Sequence, residues 1–215
     1  MTGKYYYVAS ILLTAAALVA TVVAYPHLPS SVARHWDIHG QPNGYSPKWT
    51  LYVFGPGFMA GLVLLTRLLP WLSPKHFEVE GFRSTYMQIM LMMVGLLAYL
   101  DAVMLWIGVG HSVDVGRAVG GGMCLLFVLL GNLMGRVRRN FFIGIRTPWT
   151  LANERVWNTT HRLAAKTFVL GGLAGLALIA MDLHVWPLVV LMAGALVPAV
   201  YSVVFYKRLE RRGQL

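Results

Sequence analysis

Residues 84–109, Ser-Thr-Tyr-Met-Gln-Ile-Met-Leu-Met-Met-Val-Gly-Leu-Leu-Ala-Tyr-Leu-Asp-Ala-Val-Met-Leu-Trp-Ile-Gly-Val, carry one charged side chain, Asp101. A helix crosses a hydrocarbon core of about 30 Å with about 20 apolar residues, so this stretch is long enough to span a bilayer. Five more runs of the same kind lie near residues 5–25, 51–70, 117–135, 167–183 and 186–206. Gly171, Gly172 and Gly175 weaken the fifth as an independent helix, and only Asp182, His184 and Trp186-Pro187 divide it from the sixth. A helical hairpin is expected there. The first run follows Lys4 and ends in Val22-Val23-Ala24, a weak cleavage pattern, but it is long for a secretory leader and reads as an anchor. The predicted fold is an all-α integral membrane bundle of about six spans.

Composition agrees with a lipid solvent. Of the 215 residues, 57% are hydrophobic and 12% charged, outside the range of a water-soluble globule. The net charge of +10 is not a nucleic-acid footprint, because the basic residues sit between apolar runs and line no single soluble face. Their distribution orients the chain instead. With the N-terminus inside, only Arg34, Lys48 and Arg117 of the 18 Lys and Arg residues fall outside, as the positive-inside rule requires. Both termini are therefore expected in the cytoplasm. Cys124, the only cysteine, has no partner for an intrachain disulfide.

Two connections depart from plain loops. Residues 26–49, on the outside, contain four prolines and an Asn43-Gly44 pair that favours a tight turn, so an ordered loop with a short strand or hairpin is expected. Trp36, Tyr45 and Trp49 suit it to the headgroup boundary. Residues 136–166, on the inside, begin with Arg136, Arg138 and Arg139 and turn through Asn140-Phe-Phe-Ile-Gly144. Thr147-Pro148 then reads as an N-cap followed by proline at the first helical position. The predicted helix is amphipathic, runs directly into the fifth span, and carries Glu154, Asn158 and His161 on one polar side. A two-part organisation follows, with residues 1–83 as a two-span region and 84–215 as a four-span region.

Three groups of residues bear on chemistry. His35, Asp37 and His39 form His-Trp-Asp-Ile-His, whose imidazoles and carboxylate have a ligand set suited to zinc. Histidines in such a loop more commonly bond its backbone or meet headgroups, so no metal or other cofactor is assigned. Asp101 is a functional candidate because a charge deep in a span costs about 2.5–3.5 kcal/mol. It reads as a proton-binding group, as a partner for a polar residue such as Asn132, or as a neutral acid bonded between helices. Glu154, Asn158 and His161 have the residue types of an acid, an orienting amide and a base, but no nucleophile motif or phosphate loop accompanies them. The expectation is a protein that is not an enzyme.

Asn132-Leu-Met-Gly-Arg-Val-Arg-Arg-Asn140, Gly144-Ile-Arg146-Thr147-Pro148-Trp149-Thr-Leu151 and Val156-Trp157-Asn-Thr-Thr-His161-Arg resemble the signature of the bacterial SdpI family of membrane immunity proteins. Leu28-Pro29, His35, Gly40, Asn43-Gly44 and Lys48 are similar to the small membrane domain of unknown function that often precedes it. The resemblance implies a cell-membrane protein that protects its host against a secreted, membrane-permeabilising toxic peptide. In the best-known members it also implies signalling, by holding a small transcriptional repressor at the membrane. The expected toxin-facing surface is the outer loop, through His35, Trp36, Asp37, His39 and Tyr45. The inner segment, through Arg146, Trp149, Trp157 and His161, is expected to be a repressor dock or a structural latch. Toxin binding outside would bias two arrangements of the bundle, and the inner segment would report which is populated. A proton-coupled or small-molecule transporter built on Asp101 and a metal-dependent membrane hydrolase built on the loop histidines are the alternative readings.

Overall fold

A computed structural model of the chain describes residues 3–37, 40–75, 77–183 and 185–215. Six of its helical stretches are long and apolar enough to cross a membrane: 4–27, 50–72, 79–108, 115–134, 154–180 and 186–211. The chain is an all-α multi-pass membrane protein. Its surface states the same thing in atoms: Leu12 is 63% exposed, Leu170 67% and Val200 61%, each on an outward helix face. Apolar surface on that scale is stable only against lipid.

Helix α1 (Lys4–Ala24) ends in a 3₁₀ turn over Tyr25–His27. An antiparallel hairpin follows, β1 (Ser31–Trp36) with β2 (Pro42–Pro47), pairing Val32 with Ser46 and Ala33 with Tyr45. The expected strand pair is thus present, but its turn is not at Asn43-Gly44. Those residues lie within β2, and the tip closes where Asp37 N–H donates to the Gln41 carbonyl (2.9 Å) and Gly40, at φ +74°, donates to the Asp37 carbonyl (3.0 Å). Gly44 has a different purpose: a Cβ there would fall 2.9 Å from the His35 Cβ, so glycine lets the two strands close beside that ring.

The second span is built from α2 (Thr50–Tyr52), a π-helical turn over Val53–Gly57 and α3 (Phe58–Leu72). Pro56 has no N–H, so the ordinary i→i−4 ladder cannot pass through it, and the backbone widens by one residue. Helices α4 (Arg83–Gly108), α5 (Val115–Met134), α7 (Glu154–Ala180) and α8 (Trp186–Arg211) complete the spans, with the short α6 (Pro148–Ala152) between α5 and α7.

Small residues set the closest approach. A Cβ at Gly172 would lie 2.5 Å from the Cys124 carbonyl oxygen, and one at Gly131 2.9 Å from that of Ala165, so α5 and α7 touch backbone to backbone. Thr167 donates to the Gly194 carbonyl at 2.7 Å and joins α7 to α8. Arg117 at the start of α5 is paired with Asp182 at the end of α7, which ties the α7–α8 turn to its neighbour. The expected helical hairpin is present there; His184 lies outside the described residues.

The bundle has two unlike ends. At one, the β-hairpin packs onto the tops of the first three spans through a buried cluster of Leu28, Val32, Leu51 and Leu105. The largest buried cluster lies toward the other end and includes Tyr86, Met90, Leu133, Met134, Val137, Trp157 and Ala164. Both special segments thus sit on rigid support, one at each end.

Candidate functional site

The segment between α5 and α7 is held by hydrogen bonds that begin with Asn140. Its side chain is fully buried and all four of its bonding positions are used. Oδ1 accepts from Phe142 N–H (2.8 Å) and Ile143 N–H (2.7 Å); Nδ2 donates to the carbonyls of Arg138 (2.8 Å) and Ile143 (3.0 Å). One amide therefore supplies the partners that a sheet or helix would give this stretch of backbone. Gly144 follows at φ +109°, a conformation suited to glycine, and a Cβ there would collide with His161 Nε2.

His161 lies beneath this turn. Its Nδ1–H donates to the Trp157 carbonyl at 2.8 Å, and its Nε2 accepts from Ile145 N–H at 3.1 Å. The two bonds define a neutral ring with the proton on Nδ1. The ring stacks on Trp157 with centroids 4.0 Å apart, and Trp157 Nε1–H reaches back to the Val137 carbonyl at 2.7 Å. Tryptophan and histidine on one helix thus grip the loop at both of its ends.

Thr147 is the N-cap of α6, as expected. Its Oγ1 accepts from Thr150 N–H (3.2 Å), Thr147 N–H donates to Thr150 Oγ1 (2.9 Å), and Thr147 Oγ1 meets Ser202 Oγ of α8 at 2.9 Å. The helix does not run on into α7. Asn153, at φ −139°, ψ 125°, breaks it and caps α7 afresh by accepting from Val156 N–H at 3.1 Å. His161 also leaves the polar side expected for it. Glu154 and Asn158 are exposed, but the turn through Gly144 covers His161, which is 1% exposed. An acid, amide and base do not converge here.

The outer surface of this latch is cationic and aromatic. Arg146 is exposed and donates to the Phe141 carbonyl; Trp149 is half-buried. Arg139 donates to the Leu151 carbonyl at 3.1 Å and lies 5.1 Å from the centre of the Phe77 ring, which itself packs on Phe141. Thr150, Asn153 and Ser202 escaped the reading of the sequence. The Thr147-to-Thr150 spacing signals the first through its capping box, and Asn153 has the residue type of an N-cap; nothing in the pattern marks Ser202.

At the opposite end, His35 Nδ1–H donates to Asn43 Oδ1, and Asp37 Oδ1 accepts from Gln41 N–H at 2.9 Å. These two side chains hold the hairpin together, and His39 lies outside the described residues; no group of three metal-ligating residues gathers among those described. Lys48 Nζ donates to the carbonyls of Tyr25 (3.0 Å) and Leu28 (3.2 Å), and Arg34 lies 3.4 Å above the Phe54 ring. Trp36 is half-buried, while Tyr45 is 62% exposed and Trp49 also stands out. Asn132 bonds its own helix at the Val128 carbonyl (2.8 Å) and makes no hydrogen bond to Asp101; the hydroxyl beside Asp101 is that of Thr21.

A six-span bundle with a hairpin cap and a hydrogen-bonded latch defines a multi-pass membrane protein of a compact, two-ended kind. Residues 136–206 match the SdpI/YfhL protein family, and residues 12–60 match a domain of unknown function, DUF1648. The chain is also similar to the Immunity protein SdpI of Bacillus subtilis (strain 168), 26% identical over 204 residues that cover 94% of this chain and 96% of the relative. Likeness to the SdpI/YfhL family thus rests on residues 136–206, which include the latch, α7 and most of α8. No solved structure matches the chain.

Proposed function

We propose that this chain is a non-enzymatic immunity protein of the bacterial cytoplasmic membrane, protecting its host against a secreted toxic peptide that permeabilises membranes. The observation that carries the reading is the end-to-end correspondence with a relative named as an immunity protein, which includes both the hairpin and the latch. The hairpin end faces outside and the latch end inside, a placement supported by the Lys and Arg distribution.

In this reading the toxin meets the outer loop at His35, Trp36, Asp37, His39 and Tyr45. The exposed aromatic surface of Tyr45 and Trp49 supports that role, since aromatic side chains are favoured contacts at the membrane boundary. A small cytoplasmic repressor docks on the latch through Arg146 and Trp149. The buried Trp157 and His161 hold that surface in shape. Peptide binding outside favours one packing of the spans, and the latch, bonded to α7 and α8, moves with them.

The test is survival. Toxin-sensitive bacteria without their own immunity gene, expressing this chain, are challenged with the family's secreted membrane-active peptide while membrane potential is recorded. Retained potential and growth are expected. Loss of potential equal to that of empty-vector cells, with the chain present in the membrane, would refute the proposal.

A further inference from the structure

Asp101 lies seven residues inside the hairpin end of α4, about 10 Å along the helix, and is 4% exposed. Its carboxyl fits into a notch made by two other spans. Gly55, inside the π-helical turn, has no side chain to fill that space, and a Cβ there would collide with Asp101 Oδ1. On the other side Thr21 Oγ1 of α1 stands 3.4 Å from Oδ2.

The hydrogens decide the state of this group. Thr21 has one hydroxyl hydrogen, and its shorter contact is to the Ala17 carbonyl at 2.9 Å. With that hydrogen used, an ionised Asp101 would have no donor at Oδ2, and Oδ1 has no hydrogen-bond partner among the described residues. Nor does a cation among the described residues serve it. Helix α1 has no ionisable side chain between Tyr7 and Tyr25, and α4 offers only Tyr99 nearby. The second span contributes Tyr52 at this level; Arg67 reaches Tyr7 toward the other end. From the hairpin, Lys48 is committed to two carbonyls and Arg34 to the Phe54 ring, and none of the ion pairs among the described residues includes Asp101. A carboxylate in that setting carries the full cost of a bare charge in a span. A proton removes it: Oδ2–H donates to Thr21 Oγ1, and Thr21 donates to the Ala17 carbonyl, a chain in which every hydrogen has an acceptor.

We infer that Asp101, between Thr21 and the Gly55 notch, is a proton-binding site that joins the first three spans in its protonated form. Loss of the proton leaves a charge that the notch cannot satisfy, and the joint opens toward water at the hairpin end. The site is independent of the immunity reading.

Infrared difference spectroscopy of the full chain in lipid nanodiscs tests it. At pH 7 a protonated-acid carbonyl band is expected that vanishes in Asp101→Asn, moves to higher frequency in Thr21→Val as the hydrogen bond is lost, and disappears reversibly on raising the pH. If Asp101→Asn does not fold, ¹³C-aspartate labelling shows that the band belongs to an aspartic acid, and its further shift in labelled Thr21→Val assigns it to Asp101, the aspartate beside that hydroxyl. Absence of an acid band at pH 7, or a band that neither the variant nor the label alters, would overturn the inference. Loss of the band on adding sodium at constant pH would also overturn it, by showing that the notch takes a metal cation in place of the proton.

Discussion

Replacing Asn140 with alanine removes two acceptors and two donors from the centre of the latch at one stroke. Each neutral hydrogen bond contributes about 1 kcal/mol net, so four give an upper figure of about 4 kcal/mol. Water reaches this end of the bundle and can satisfy some of the freed backbone groups, which lowers the expected cost to about 2–4 kcal/mol. The loss is local, because the α5–α7 and α7–α8 contacts are untouched. It therefore appears as easier opening of the loop before global unfolding. Trypsin reads this directly, since Arg138, Arg139 and Arg146 lie within the segment Asn140 holds. At about 1.4 kcal/mol per factor of ten, cleavage in intact micelles should accelerate by about 30-fold to several hundred-fold. Asn140→Asp sharpens the test. It keeps nearly the same shape and both acceptors, but places an oxygen against the carbonyls of Arg138 and Ile143, so it should be no milder than alanine. Cleavage of either variant within threefold of wild type would refute the claim that this amide holds the latch.

Gly144→Ala forces a side chain into a left-handed backbone and against His161 Nε2; about 2–4 kcal/mol of lost stability is expected in detergent unfolding, with the Ile145–His161 hydrogen bond broken. In α7, Gly172→Val should cost about 1–3 kcal/mol by separating α5 from α7, whereas Gly121→Val, whose Cβ meets nothing within 4 Å, should be near neutral in the same assay.

The spans were legible because lipid imposes a length and an apolarity that few other structures share, and that demand is written residue by residue in a stretch such as 84–109. The latch was legible as a patterned segment but not as a geometry. Thr147-Pro148 announced a helix start through local capping chemistry, which needs no distant partner. The burial of His161 could not be read from its spacing to Glu154 and Asn158, because the turn that covers it comes from a segment 16 residues earlier. Asn43-Gly44 carried a turn signal that the fold spends on strand packing beside His35, while the tip formed at Asp37–Gln41. Asp101 stood out as costly in the sequence. Its partners, a threonine 80 residues away and a glycine in a proline-widened turn, are set by packing among three spans and leave no local trace.

Orientation is the claim on which the proposed roles of both ends depend, and thiol labelling in intact cells tests it most directly. In a Cys124→Ala background, Tyr45→Cys in the hairpin and Arg146→Cys in the latch are exposed to a membrane-impermeant maleimide before and after lysis. Tyr45→Cys is expected to label at once and Arg146→Cys only after the cells are opened. Immediate labelling at Arg146→Cys with protection at Tyr45→Cys would contradict the assigned orientation.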